Sequence, residues 1–147
     1  MSGSIPHGGV LVNRFDPKAD VSQVWDEVEL DAFALSDLEL IAIGAYSPLA
    51  GFMDRRDYHA VLERMRLSDG QVWSIPITLP VSPQTAARLR TGDRVRLTYQ
   101  GTVYGLLEVT DLYQPDKQEE ARRVYGTDDR NHPGVKKLLE RPEVYLG

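Results

Sequence analysis

Three histidines, His7, His59 and His132, and the acidic pair Asp128 and Asp129 are the residues whose types could do more than pack. Either set could hold a divalent cation, but metal-binding histidines are marked by close spacing, such as two on one helical turn. These three fall in a terminal turn, a helix-forming stretch and a loop, so structural roles are expected and no metal site is assigned. Asp128 and Asp129 follow a helix-forming stretch, where acidic residues serve as solvated turn formers. The chain has no Gly-Lys-Ser or Gly-Lys-Thr of a phosphate-cradling loop and no Gly-x-Ser-x-Gly elbow, so an autonomous NTPase, kinase or esterase is not indicated. It contains no cysteine, which removes thiol catalysis and thiolate metal sites and fits a reducing compartment.

The bulk numbers narrow the partners. A net charge of −5 repels phosphate backbones on average, which makes nucleic acid an unlikely principal partner, although Arg55, Arg56, Arg94 and Arg96 could still form a local basic patch. No apolar run is long enough to span a bilayer, and the first residues lack the charged-then-apolar order of a secretion signal, so a soluble, cytoplasmic protein is expected. With 147 residues, 41% hydrophobic and 27% charged, the chain is expected to form one domain spanning residues 1–147, enclosing a single core.

The elements that must position these residues follow from periodicity. Val10-Leu11-Val12 reads as an edge strand after the turn formers Ile5-Pro6-His7-Gly8-Gly9. Ser36 and Glu39 have capping-box spacing and predict a helix start at Ser36, with Leu38, Ile41, Ala42 and Ala45 at helical intervals and Gly44 as its stop. Leu40 and Ile43 make this helix apolar nearly all round, which places it deep in the core. A second helix carries Tyr58, Val61, Leu62 and Met65 on one face. From Trp73 the period becomes two, predicting a strand to Pro80, edge or bulged at Pro76. Ser82-Pro83 caps a short helix that Gly92 closes. Arg94–Tyr99, with Val95, Leu97 and Tyr99 inward, turns at Gln100-Gly101 into a second strand, Val103–Val109. Asp116 and Glu119 cap a polar helix with Ala121, Val124 and Tyr125 as its buried stripe, ending at Gly126. Val135, Leu138 and Leu139 give a last helix, ended by Pro142. The mixed order predicts an α+β fold: a small, mainly antiparallel, barrel-like sheet with several flanking helices.

Between the first two helices, Tyr46-Ser47-Pro48-Leu49-Ala50-Gly51-Phe52-Met53 alternates turn formers with large apolar groups, the signature of a specifically shaped loop. Tyr46, Pro48, Leu49, Phe52 and Met53 are candidates for contact with a neighbouring domain, and equally for plugging the core of their own.

Several of these stretches, in order, resemble the amino-terminal domain of the sulfate adenylyltransferase (ATP sulfurylase) family. They are Ile5–Gly9 with Leu11-Val12-Asn13-Arg14, Asp37–Leu49, Gly51-Phe52-Met53, Trp73–Leu79, Gly92-Asp93-Arg94-Val95, Tyr104-Gly105, Leu107-Glu108-Val109, Val124-Tyr125-Gly126-Thr127 and His132-Pro133-Gly134-Val135. The resemblance implies a PUA-like fold. It also implies a parent enzyme that transfers the adenylyl group of ATP to sulfate, giving adenosine 5′-phosphosulfate and pyrophosphate, with ATP and magnesium as the parent's requirements and none for this chain. The family's anion-binding Gln-Thr-Arg-Asn-Pro run, its histidine motifs and its Gly-Arg-Asp element belong to the following, catalytic adenylyltransferase domain and are absent here. Gln84-Thr85 lacks the arginine and proline, and Arg130-Asn131-His132-Pro133 has the wrong order and lies where the family has its connector. The resemblance therefore implies a chain with no catalytic residues, whose partner is the catalytic domain and whose parent could be a homo-oligomer. The alternatives are a stand-alone PUA-like RNA-binding module or an accessory subunit.

Overall fold

The computed structural model describes residues 6–9 and 11–147. Five helices and six short strands follow in the order β1 (Glu27–Glu29), α1 (Ala32–Ala42), α2 (Arg55–Arg64), β2 (Leu79–Val81), α3 (Pro83–Arg88), β3 (Arg94–Tyr99), β4 (Thr102–Glu108), β5 (Leu112–Tyr113), α4 (Lys117–Tyr125), α5 (Pro133–Glu140) and β6 (Val144–Leu146). They fall into two compact units. One holds the described residues up to Phe52 with Gly92–Glu108, and the other holds Met53–Thr91 with Val109–Gly147.

The first unit is built on a sheet of order β1-β3-β4. Its hairpin forms where expected: Gln100 and Gly101 adopt φ of 49° and 81°, the paired left-handed turn that matches strand twist. The register shifts between Leu97 and Thr98, so Thr98 is buried and Tyr99 is not, which corrects the expected inward Tyr99. β1, which the sequence reading missed, runs parallel to β3 with Val28 opposite Leu97. Glu29 ties it to the hairpin by accepting from Thr98 Oγ1 at 2.9 Å and from Gln100 N–H at 3.0 Å.

α1 starts four residues earlier than predicted. Asp31 is its N-cap, accepting from Ala34 N–H at 2.7 Å, and Ser36 lies inside the helix. The expectation of deep burial also fails: Ala34 and Ile41 are buried while Ile43 is 61% exposed. Gly44 does end the helix, at φ +82°, and a Cβ there would lie 2.6 Å from Leu11 Cδ1 and 2.8 Å from Val12 O. Leu11 and Val12 form no strand, because their segment runs along the end of α1, with Arg14 N–H donating to Ala42 O at 2.9 Å. The other residue of the expected edge strand, Val10, lies outside the described residues, as does Ile5.

The second unit carries a sheet of order β2-β6-β5, antiparallel throughout. The predicted Trp73–Pro80 strand shrinks to Leu79–Val81, and Ile75 is exposed. Pro76 and Pro80 lack the N–H that a ladder needs, so only the stretch beside β6 pairs, at the sheet edge. α3 begins as predicted, with Ser82 Oγ accepting from Thr85 N–H at 3.1 Å, but it ends at Arg88, before Gly92. α2 buries Tyr58, Val61 and Leu62; Met65 instead forms the left-handed C-cap at φ 51° and is exposed. α5 packs Val135 and Leu138 on Ala121 of α4. The predicted stripe on α4 is corrected in one place, since Tyr125 is exposed and Glu120 is buried. The observed fold is α+β with mainly antiparallel pairing, but as two three-stranded sheets among the described residues and not a closed barrel.

Candidate functional site

The chemistry-bearing groups that the fold brings together lie in the second unit, around Glu120. α4 starts at Asp116, whose carboxylate accepts from the Gln118 and Glu119 N–H groups, and this start sets which side of the helix faces inward. Residues three and four apart share a face, so Lys117, Glu120, Ala121 and Val124 lie together. Tyr58 of α2 donates its hydroxyl to Glu120 Oε1 at 2.6 Å, and Tyr145 of β6 donates to the same oxygen at 2.9 Å. Tyr113 of β5 completes a ring cluster, with centroids 5.4 Å from Tyr58 and 5.7 Å from Tyr145. Its hydroxyl donates to Met53 O at 2.7 Å. Edge-to-face aromatic pairs add about 0.5–1.5 kcal/mol each beyond their burial.

Burial raises the Glu120 carboxyl above its ordinary pKa, against the hydrogen bonds from Tyr58 and Tyr145, which favour the charged form. The same burial, with Glu120 beside them, pushes the hydroxyls of Tyr58 and Tyr145 upward, so both remain donors. Lys117 is lowered by burial, and its ammonium donates to Leu138 O at 3.0 Å and to Arg141 O, capping the end of α5. The hydroxyls of Tyr58, Tyr113 and Tyr145, the Lys117 ammonium and Glu120 Oε1 are therefore each engaged by another protein group. Such a network holds α2, α4, α5 and β6 together.

The candidate loop divides between the units. Tyr46, Pro48, Leu49 and Phe52 belong to the first, and Met53 to the second. Leu49, Phe52 and Met53 are buried, and Tyr46 and Pro48 are half-buried. Ser47, at a cis Ser47–Pro48 bond, accepts from Val12 N–H at 2.8 Å and donates to Gly44 O at 2.6 Å. Tyr46 donates to Asp37 Oδ1 at 3.4 Å, and burial followed by the Asp37 charge raises its hydroxyl pKa. In the second unit, Met53 N–H donates to Ile77 O at 2.8 Å.

The histidines are not brought together. His59 packs on Tyr58, while His132 is the N-cap of α5, its Nδ1 accepting from Gly134 N–H at 3.1 Å. Asp128 pairs with Arg122 at 2.9 Å, and Asp129 accepts from Asn131 N–H. Among the described residues no group of three His, Asp or Glu side chains is placed to hold a metal ion. Arg55 meets Asp111 and Arg96 meets Glu27, so half of the four arginines singled out are matched to carboxylates. No helix of the described residues is long and apolar enough to cross a membrane.

Two small sheets, one mixed and one antiparallel, with flanking helices agree with a family-level match: a model described as a PUA-like domain covers residues 4–147, and the chain belongs to that family. Among curated relatives, it is 48% identical over 148 residues to the sulfate adenylyltransferase of Synechococcus sp. (strain JA-3-3Ab), covering 96% of this chain and 38% of the relative. It is 54% identical over 144 residues to the sulfate adenylyltransferase of Chloroflexus aurantiacus (strain ATCC 29366 / DSM 635 / J-10-fl), covering 96% of this chain and 37% of that protein. The chain thus spans well under half the length of these relatives. A solved structure titled a hexameric APS kinase from Thiobacillus denitrificans superposes with a TM-score of 0.67 at 33% identity, covering 76% of this chain and 24% of that one.

Proposed function

We propose that this chain is the amino-terminal supporting domain of a sulfate adenylyltransferase and takes no direct part in adenylyl transfer. The whole enzyme converts ATP and sulfate to adenosine 5′-phosphosulfate and pyrophosphate, with magnesium accompanying ATP. The observation that carries the reading is the likeness running along 96% of this chain but only 37% of the Chloroflexus relative. Transfer between two anions requires several convergent cations and N–H donors, and the donors of the Glu120 cluster are bound to Glu120 and to backbone carbonyls. The partner is the catalytic adenylyltransferase domain. Leu11 and Ile43, 59% and 61% exposed, flank Gly44 and offer it an apolar contact, with half-buried Tyr46 and Pro48 beside them. Leu49, Phe52 and Met53 serve as core instead. A homo-oligomeric, cytoplasmic parent is part of the same proposal. The RNA-binding alternative is weaker, because the chain is acidic and Arg55 and Arg96 are paired. The test is turnover: the chain incubated with ATP, sulfate and magnesium is expected to release no pyrophosphate above a protein-free control, and release above that control refutes the reading.

A further inference from the structure

The outward side of α5 bears an open cleft of about 510 Å³ lined by the exposed Arg130, Asn131, Lys136 and Glu140 and by half-buried Leu139, a volume in the range of small-molecule sites. Lys136, Leu139 and Glu140 are three and four positions apart and share one side of the helix, whereas Val135 and Leu138 are buried against Ala121. The charges that line the cavity are not the ones that suit the helix dipole, a part taken by Lys137 in the last turn. Arg130 stands beyond the amino-terminal end and Glu140 is the last helical residue, although the backbone dipole favours anions at the first end and cations at the second. Lys136 and Glu140 have the i,i+4 spacing in its weaker order. Among the described residues, neither they nor Arg130 form an ion pair.

Along the cavity Arg130 and then Lys136 precede Glu140, an order that suits a ligand with an anionic group followed by a hydrogen-donating one. A bare oxyanion would satisfy only half of it and would be repelled by Glu140. Lys136 and Glu140 are separated by a rise of roughly 6 Å, about the separation of a 5′-phosphate from a ribose hydroxyl, with Arg130 further to the amino-terminal side. We infer that this cavity binds a nucleoside 5′-phosphate, with the phosphate on Arg130, Lys136 and the Asn131 amide, Glu140 accepting from a hydroxyl or amino group, and Leu139 supplying apolar contact. Binding here involves no bond making and stands whether or not the chain supports an adenylyltransferase.

The test titrates the 147-residue chain with AMP, ADP, adenosine, inorganic phosphate and sulfate at low salt, by calorimetry and amide NMR. Saturable AMP or ADP binding at least about 10-fold tighter than phosphate or sulfate is expected, with shifts centred on Asn131, Lys136, Leu139 and Glu140. R130Q/K136Q should weaken AMP by about 10-fold or more without changing the circular-dichroism melt, and E140Q should weaken AMP several-fold while leaving phosphate unchanged or tighter. No saturable nucleotide binding up to about 10 mM overturns the inference. So does equal affinity for AMP and phosphate, which would mark a simple oxyanion patch, or nucleotide shifts centred elsewhere on the chain.

Discussion

Removing the tyrosine hydroxyls that surround Glu120 tests whether the buried cluster holds the second unit together. Tyr58→Phe and Tyr145→Phe keep the rings and delete the donors 2.6 and 2.9 Å from Glu120 Oε1. A hydrogen bond to a charged group contributes about 1.5–3 kcal/mol. Each single variant should lose about 1.5–2 kcal/mol, near the lower end, because the other hydroxyl still serves the same oxygen. The double variant should lose about 3–5 kcal/mol, because it leaves the buried carboxyl without either donor, and more than the sum of the singles if the hydroxyls substitute for each other. The sign with pH follows from the carboxyl. Its folded pKa already lies above the ordinary value, so the folded state holds this proton more tightly than the unfolded chain. That contribution is fully present below the ordinary carboxyl range and is lost as pH rises through the folded value. Both hydrogen bonds oppose the upward shift, so deleting them raises the folded pKa further. The double variant's deficit should therefore be smaller near pH 5, within about one unit of the free carboxyl, than near pH 8, about four units above it. Urea unfolding followed by circular dichroism at both pH values measures it. Singles within about 0.5 kcal/mol of wild type at both pH values, or a deficit larger at the acid pH, would refute the reasoning.

Two further substitutions test local structure in the first unit. Asp31→Ala should cost about 1 kcal/mol as loss of the N-cap of α1, whereas Ser36→Ala should change stability by a few tenths; the reverse order in thermal melts would restore the helix start at Ser36. Gly44→Ala should cost more than the roughly 1–2 kcal/mol of a left-handed alanine, since its Cβ would also meet Val12 O at 2.8 Å. Gly92→Ala, also at positive φ but with nothing within 4 Å of its Cβ, isolates the conformational part. Equal losses for the two glycines, or unchanged protection of the Val12 amide in Gly44→Ala, would show that the packing term is absent.

The elements most legible in the sequence were those whose signals are local. Gln100-Gly101 needs two left-handed residues, and Ser82-Pro83 combines a hydroxyl acceptor with a residue that lacks an N–H; both positions behave as read. α1 misled because Ser36 and Glu39 have capping-box spacing, while Asp31 stands five residues earlier beside Leu30 and Ala32, with no glutamate three positions on to mark it. The Trp73–Pro80 alternation misled for a different reason. Period two describes side chains, but a strand also needs a neighbour for its backbone, and β6, a three-residue stretch after Pro142 with no alternation long enough to read, supplies one only for Leu79–Val81.

The buried cluster was half legible. Tyr58 sits on the face that the Tyr58-Val61-Leu62 spacing marks, but Glu120 was hidden by reading α4 as a polar helix with a stripe of apolar types. Stepping three and four residues from Ala121 and Val124 reaches Lys117 and Glu120, so geometry alone puts two charged residues on the buried face. What sequence periodicity cannot supply is the pair of tyrosines, one 62 residues before Glu120 and one 25 after it, that make burial of the carboxylate tolerable. A buried acid whose donors come from two other elements costs desolvation and returns a single arrangement of those elements. The exchange is structural: the Glu120 carboxyl and its two tyrosine donors fix α2, α4 and β6 to one another.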